Sequence, residues 1–175
     1  MRVPVKVLGL HVVPSSGATV LLVGESDDPT RVLPIFIGQS EASSIAIALG
    51  GLDTPRPLTH DLFVEVMNVT GAGLKGVEVT ELRDGTFFAD IEIEVEGEVI
   101  VLSARPSDGI ALAVRVGVPI YVDTEVLDEA AVAVEREAER PFDEEEIDEI
   151  VSSFQDFLET ASAQDFAETA EGEEG

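Results

Sequence analysis

The sequence predicts an α+β fold in which a βββα unit occurs twice and closes into one compact mixed domain. Three observations predict it. Each half opens with three segments of strand length, rich in valine and isoleucine and punctuated by turn residues. Each half then continues into a helical segment, "SEASSIAIALG" or "PSDGIALAVRVG", that starts with serine and an acid and goes on Ile-Ala-apolar-Ala. The third is a change of composition after residue 140, where an acidic amphipathic stretch, expected as a helix, leads into an end expected to be disordered.

Taken in order, "RVPVKVLGLHVV" (Arg2 to Val13) alternates and reads as a strand. "PSSG" turns the chain into "ATVLLVGES", whose continuous apolar centre predicts burial on both faces. After "DDPT", the strand "RVLPIFIG" carries Pro34, which predicts an edge or a bulge. Ser40 is placed as the cap of a helix over Glu41 to Leu49, and Gly50 and Gly51 close it. Thr59 is placed as the cap of a second helix with Leu62, Phe63, Val66, Met67 and Thr70 on its inner face. The second half gives strands at "KGVEVTELRDG" and "TFFADIEIEVEG", with a turn at Asp84-Gly85 and an offset at Ala89-Asp90 that suggests a bulge. "EVIVLSA" reads as a buried strand, followed by a helix from Ser107 and a short strand at "VPIYV". A last helix is expected over Asp123 to Arg140, capped by Asp123 or Thr124. Residues 1–140 thus form the body and 141–175 an acidic helical tail.

Charge narrows the function classes. The chain carries 10 basic and 36 acidic residues, a net −26. Thirteen of the acids lie beyond Pro141, so the body itself is at −13. Such a surface opposes long-range attraction of nucleic acid, which rests on Lys and Arg. Cysteine is absent, which removes disulfides, thiolate zinc sites and thiol nucleophiles. The opening "MRVPVKVLGLHVV" is interrupted by Pro4, Lys6 and His11 and alternates like a strand, so a soluble cytoplasmic protein without a membrane segment is expected.

There is no Walker A loop, G-x-G-x-x-G, G-x-S-x-G or H-E-x-x-H, and two histidines cannot build a multi-histidine metal cage. What could carry chemistry is polar residues at helix starts: Glu41 after Ser40; Arg56, Thr59, His60 and Asp61 in "RPLTHD"; Arg105, Ser107 and Asp108 in "RPSD". Each proline fixes an extended backbone that brings its arginine to a helix N-terminus, where N–H groups favour anions. Capping, worth about 1 kcal/mol, explains Ser40, Thr59 and Ser107 equally well. The helix dipole, worth roughly 0.3–1 kcal/mol, explains Glu41, Asp61 and Asp108. Arg105 could pair with Asp108, and Arg56 with Asp61. His60, beside an acid and an arginine, is harder to explain as core; His11 in mid-strand reads as structural. Gly109 costs roughly 1 kcal/mol in a helix and points to a close approach by backbone or ligand.

Together "LPIFIGQSEASSIAIAL", "RPLTHDL", "DGTFFADI", "ARPSDGIALAVR" and "PIYV", in that order, resemble the bifunctional nuclease family, over about the first 130 residues. The chain departs from the pattern at Ser103, where an acid is expected, and at Gly109, where alanine is. The resemblance implies a nuclease that cuts both DNA and RNA. On that reading Arg105 and Arg56 offset phosphate charge, with Thr59 and Ser107 binding substrate. His60 exchanges protons, and Asp61 and Asp108, with Glu41, hold a Mg²⁺ or Mn²⁺. A reading of another class is a non-enzymatic interaction module whose tail docks a protein partner through Phe154, Phe157 and Leu158. A third has the acidic tail cover the arginine-lined site. Short strands and apolar helices point to a homodimer.

Overall fold

The computed structural model of the protein describes residues 1–14, 16–27, 30–134 and 142–171. The expected α+β architecture is what the chain adopts. Strands β1 (Arg2–Val12), β2 (Thr19–Glu25) and β3 (Arg31–Ile37) form an antiparallel meander that leads into α1 (Gln39–Leu49) and α2 (Thr59–Val69). A second meander of β4 (Ala72–Arg83), β5 (Thr86–Val95) and β6 (Glu98–Ala104) leads into α3 (Pro106–Val116). After them come β7 (Ile120–Asp123), α4 (Thr124–Ala130), the two-residue β8 (Val132–Ala133) and α5 (Glu144–Glu171). All eight strands join one sheet in the order β6-β5-β4-β7-β1-β2-β3-β8. It is antiparallel except where β4 runs parallel to β7, the strand that joins the two meanders.

Tight hairpins set the second meander. Asp84 and Gly85 (φ 51° and 70°), and Glu96 and Gly97 (φ 52° and 86°), take left-handed conformations that match the twist of paired strands. The bulge expected at Ala89-Asp90 lies on the opposite strand. Val79 faces Ala89 and Glu81 faces Phe88, so the extra residue is Thr80 of β4. Pro34 fits near the edge, because β8 pairs only with Arg31 and Val32.

Burial of β2 on both faces has a clear origin. Leu21 and Val23 enter the main core with Ile45, Ile110 and Leu127, while Val20 and Leu22 meet Ile147, Ile150 and Val151 of α5. The tail helix is therefore packed into the body. Phe154 is 2% exposed and its ring stacks between Phe36 and Phe87, at 6.1 and 5.7 Å. The partner-docking role expected for Phe154 is thus corrected: the chain's own sheet already takes that side chain.

Other expectations also change. β6 forms where predicted but is an exposed edge; Val99, Ile100, Val101 and Leu102 are uncovered. Its apolar run reads as buried, but among the described residues nothing covers it. Of the inner face expected for α2, Met67 is buried as predicted, while Leu62, Phe63, Val66 and Thr70 are exposed. The caps shift as well. Gly38 and Leu58 occupy the N-cap positions, and Ser40, Thr59 and Ser107 lie inside the first turns without capping bonds. Asp123 does cap α4, accepting from the Glu125 N–H at 2.8 Å. That helix ends at Ala130, because the chain then extends to pair with β3; the remainder of the stretch expected to be helical, 135–140, lies outside the described residues. So do the end expected to be disordered, 172–175, and parts of both N-terminal turns.

Candidate functional site

The site is built where α1, α2 and α3 converge. Pro106 opens α3 and holds Arg105 extended (φ −72°, ψ 144°), so the arginine turns back over its own helix start. Arg105 grips Asp108 with two hydrogen bonds, from Nε to Oδ2 at 2.7 Å and from Nη2 to Oδ1 at 3.0 Å. The same Nη2 reaches Glu41 Oε1 on α1 at 3.0 Å. Room for Glu41 comes from Gly38, since a Cβ there would collide with the Glu41 carboxylate.

Behind this exposed layer is a buried one. His60 Nε2 stands 3.2 Å from Asp108 Oδ1, and its Nδ1 stands 2.8 Å from Ser44 Oγ. Arg115, 7% exposed, donates from Nη2 to Ser44 Oγ at 2.9 Å and from Nε to Asp61 Oδ1 at 2.5 Å. Arginine can only donate, so Ser44 Oγ accepts from it and is free to donate its own proton to Nδ1. That polarity leaves Nε2–H donating to Asp108. The network therefore runs Asp61–Arg115–Ser44–His60–Asp108–Arg105–Glu41 across three helices. The Ser–His–Asp order invites comparison with a hydrolytic triad. Ser44, however, is 6% exposed and already holds Arg115, so it positions His60 and is shielded from attacking a substrate.

Electrostatics follow from these partners. Burial pushes the Asp108 carboxyl up, but the hydrogen bonds and charges of Arg105 and His60 outweigh it, so it titrates below the usual carboxylate range. Asp61 is lowered too, chiefly by its hydrogen bond from Arg115 and also by the Leu58 N–H. Both carboxylates are ionised at neutral pH.

Of the residues singled out from sequence, the fold joins Glu41, His60, Asp61, Arg105 and Asp108. Arg56 and Thr59 stay outside the network as exposed residues, and the alternative Arg56–Asp61 pair is not the one formed, since Asp61 pairs with Arg115. Ser107 is buried beside Arg105 instead of capping. Ser44 and Arg115 were not foreseen. The signal for Arg115 was its spacing: seven residues after Asp108, it lies on the same face of α3. The set Glu41, Asp61 and Asp108 does not fit a shared divalent ion. Arg105 stands between Glu41 and Asp108, Asp61 is held by Arg115, and no cluster of three metal-ligating side chains occurs among the described residues.

An exposed guanidinium set against a His–Asp pair at a helix start is an arrangement whose chemistry suits an anion. The sequence model of the bifunctional nuclease domain matches residues 20–135, and the chain belongs to that family. An uncharacterized protein of Mycobacterium tuberculosis (strain ATCC 25618 / H37Rv) is 41% identical over 158 residues, covering 90% of this chain and 94% of its own length. Bifunctional nuclease 1 of Oryza sativa subsp. japonica is 28% identical over 103 residues, 57% of this chain and 31% of the rice protein. Bifunctional nuclease 1 of Arabidopsis thaliana is 27% identical over 100 residues, 55% and 31% of the two chains. No helix among the described residues is long and apolar enough to cross a membrane.

Proposed function

We propose that the protein hydrolyses phosphodiester bonds of DNA and RNA at the α3 start. The observation that carries this reading is the contact of His60 with Asp108 directly behind Arg105, whose side chain is 65% exposed. Hydrolysis forms a bond from water to phosphorus and breaks the ester bond to one sugar oxygen. One proton leaves the water and one reaches the departing oxygen. Arg105 exchanges its contacts with Glu41 and Asp108 for the phosphate and offsets the developing charge. Asp108 and His60 take up and deliver the protons, with Ser44 and Arg115 holding the imidazole in place.

The experiment is cleavage of labelled single-stranded RNA and double-stranded DNA by the purified chain, beside an identically prepared Arg105→Ala control, in Mg²⁺, Mn²⁺ or EDTA. Cutting that disappears in the control supports the assignment; equal cutting by both proteins rejects it. Cutting that survives EDTA would show that Arg105 and the His60–Asp108 pair act without a metal. Loss in EDTA with recovery in Mn²⁺ would show that the carboxylates regroup around a metal.

A homodimer through β6 is the second reading. The edge is apolar on both faces, lacks Lys and Pro, and carries one acid, Glu98. In a two-fold antiparallel pairing centred on Ile100 or Val101, Glu98 faces Leu102 or Ala104 of the second copy. No acid then opposes an acid, which matters for a chain at −26.

A further inference from the structure

A cleft of about 290 Å³ opens beside Arg105, between β3, the start of β5, the first turn of α3 and α5. Its walls differ in character. One is aromatic, made by the half-buried Phe36 and Phe87, with the buried Phe154 packed behind them. The other is polar, made by Arg105 and Ser107, with Thr86 from β5. Ser107 is the informative residue. It is 6% exposed, yet among the described residues its hydroxyl has no hydrogen-bond partner. Its backbone N–H is also free, whereas those of Asp108 and Gly109 both reach the Arg105 carbonyl. A buried hydroxyl left unpaired costs about 1–3 kcal/mol, so a site that retains one at the wall of a cleft is arranged for a partner from outside.

We propose that this cleft binds one unpaired nucleobase of a single-stranded nucleic acid, with the attached phosphate at Arg105. The substrate class rests on the nuclease reading; the subsite rests on the cleft itself. The volume is of the order a single base with its sugar requires. The aromatic wall offers the apolar, ring-against-ring contact that every base can use regardless of sequence. Ser107 supplies the polar contact to the nucleotide, and the helix start favours the phosphate. A duplex must expose a base before it can enter, so single strands are preferred.

The test uses the full chain and three probes: adenosine 5′-monophosphate, uridine 5′-monophosphate and ribose 5-phosphate, with binding measured by calorimetry and by NMR shifts. Both nucleotides are expected to bind with similar affinity and to shift Phe87 and Ser107 resonances, with ribose 5-phosphate much weaker. Ser107→Ala is expected to lose about tenfold in nucleotide affinity, the equivalent of one hydrogen bond, without a fall in Tm. Phe87→Leu should weaken the nucleotides but leave ribose 5-phosphate unchanged. The proposal is overturned if ribose 5-phosphate binds as tightly as the nucleotides, if no nucleotide binds, or if Ser107→Ala binds like the parent chain. Nucleotide binding as described in a chain that cuts nothing would keep the subsite and reject the nuclease. Equal cutting of single strands and duplexes, unaffected by Ser107→Ala, would do the reverse.

Discussion

His60 and Asp108, separated by 48 residues in sequence, meet at 3.2 Å, and their contact links the "RPLTHD" and "RPSD" segments into one site. The buried Ser44–Arg115 pair fixes the imidazole from behind, while on the other side Asp108 meets Arg105, which lines the cleft. Substitution on either side of the contact should therefore damage chemistry more than folding.

His60→Gln and Asp108→Asn are each expected to lower the cleavage rate by about 10²-fold or more, in the range of general acid–base effects. Their melting temperatures should stay near that of the parent chain. A variant that melts normally and cuts at the parent rate removes that residue from the mechanism.

The Asp61–Arg115 pair predicts the pH dependence of stability. Asp61 titrates lower in the folded chain than its reference value of 3.8, so the unfolded state binds a proton first as pH falls. Its contribution is complete above that value and disappears as pH drops through the folded pKa. Denaturant titrations of the parent and Asp61→Asn should differ at pH 7 and converge at the acid end. A constant difference at every pH would contradict this.

Gly109→Ala should destabilise the fold despite alanine's better helix propensity. A Cβ there would lie 2.7 Å from Val77 Cγ1 and 3.4 Å from Ile91 Cγ2, both in the core. Overpacking costs about 1–3 kcal/mol against a propensity gain of about 1 kcal/mol. The double variant with Val77→Ala should relieve the clash, and unfolding of all three proteins in urea reads the coupling. The close approach expected from sequence is thus helix against sheet.

Phe154→Ala should cost about 3–5 kcal/mol, because the ring is fully enclosed by Phe36, Phe87 and Phe157. Removing residues 142–175 should lower Tm further, since Ile147, Ile150 and Val151 leave with it. A truncated chain that melts unchanged and cuts faster would instead make α5 a cover over the site.

Sedimentation tests the β6 edge. The parent chain is expected as a dimer, and Val101→Lys, which places two like charges near the two-fold axis, as a monomer. A dimer that survives the substitution uses another surface.

Much of this molecule was legible in its residues. The strands declared themselves by apolar patterning and one hairpin by Asp84-Gly85. Arg105 could be placed at a helix start because Pro106 restricts its backbone locally. Burial was harder to read. "EVIVLSA" and the residues Leu62, Phe63 and Val66 have core composition but lie at the sheet edge and on an outer helix face. Hydrophobicity describes what a segment would gain from cover and is silent on whether any neighbour arrives.

The sequence by itself determined local conformation and the cast of charged groups, because φ restriction, capping chemistry and strand period act within a few residues. Only the tertiary structure decided the pairings. Asp61 had Arg56 five residues away yet joined Arg115, and His60 came between Ser44 and Asp108. Which donor meets which acceptor depends on how three helices pack over one sheet, and packing is set by the summed burial of side chains far from the site. The same packing left the Ser107 hydroxyl, among the described residues, without a partner at the wall of the cleft.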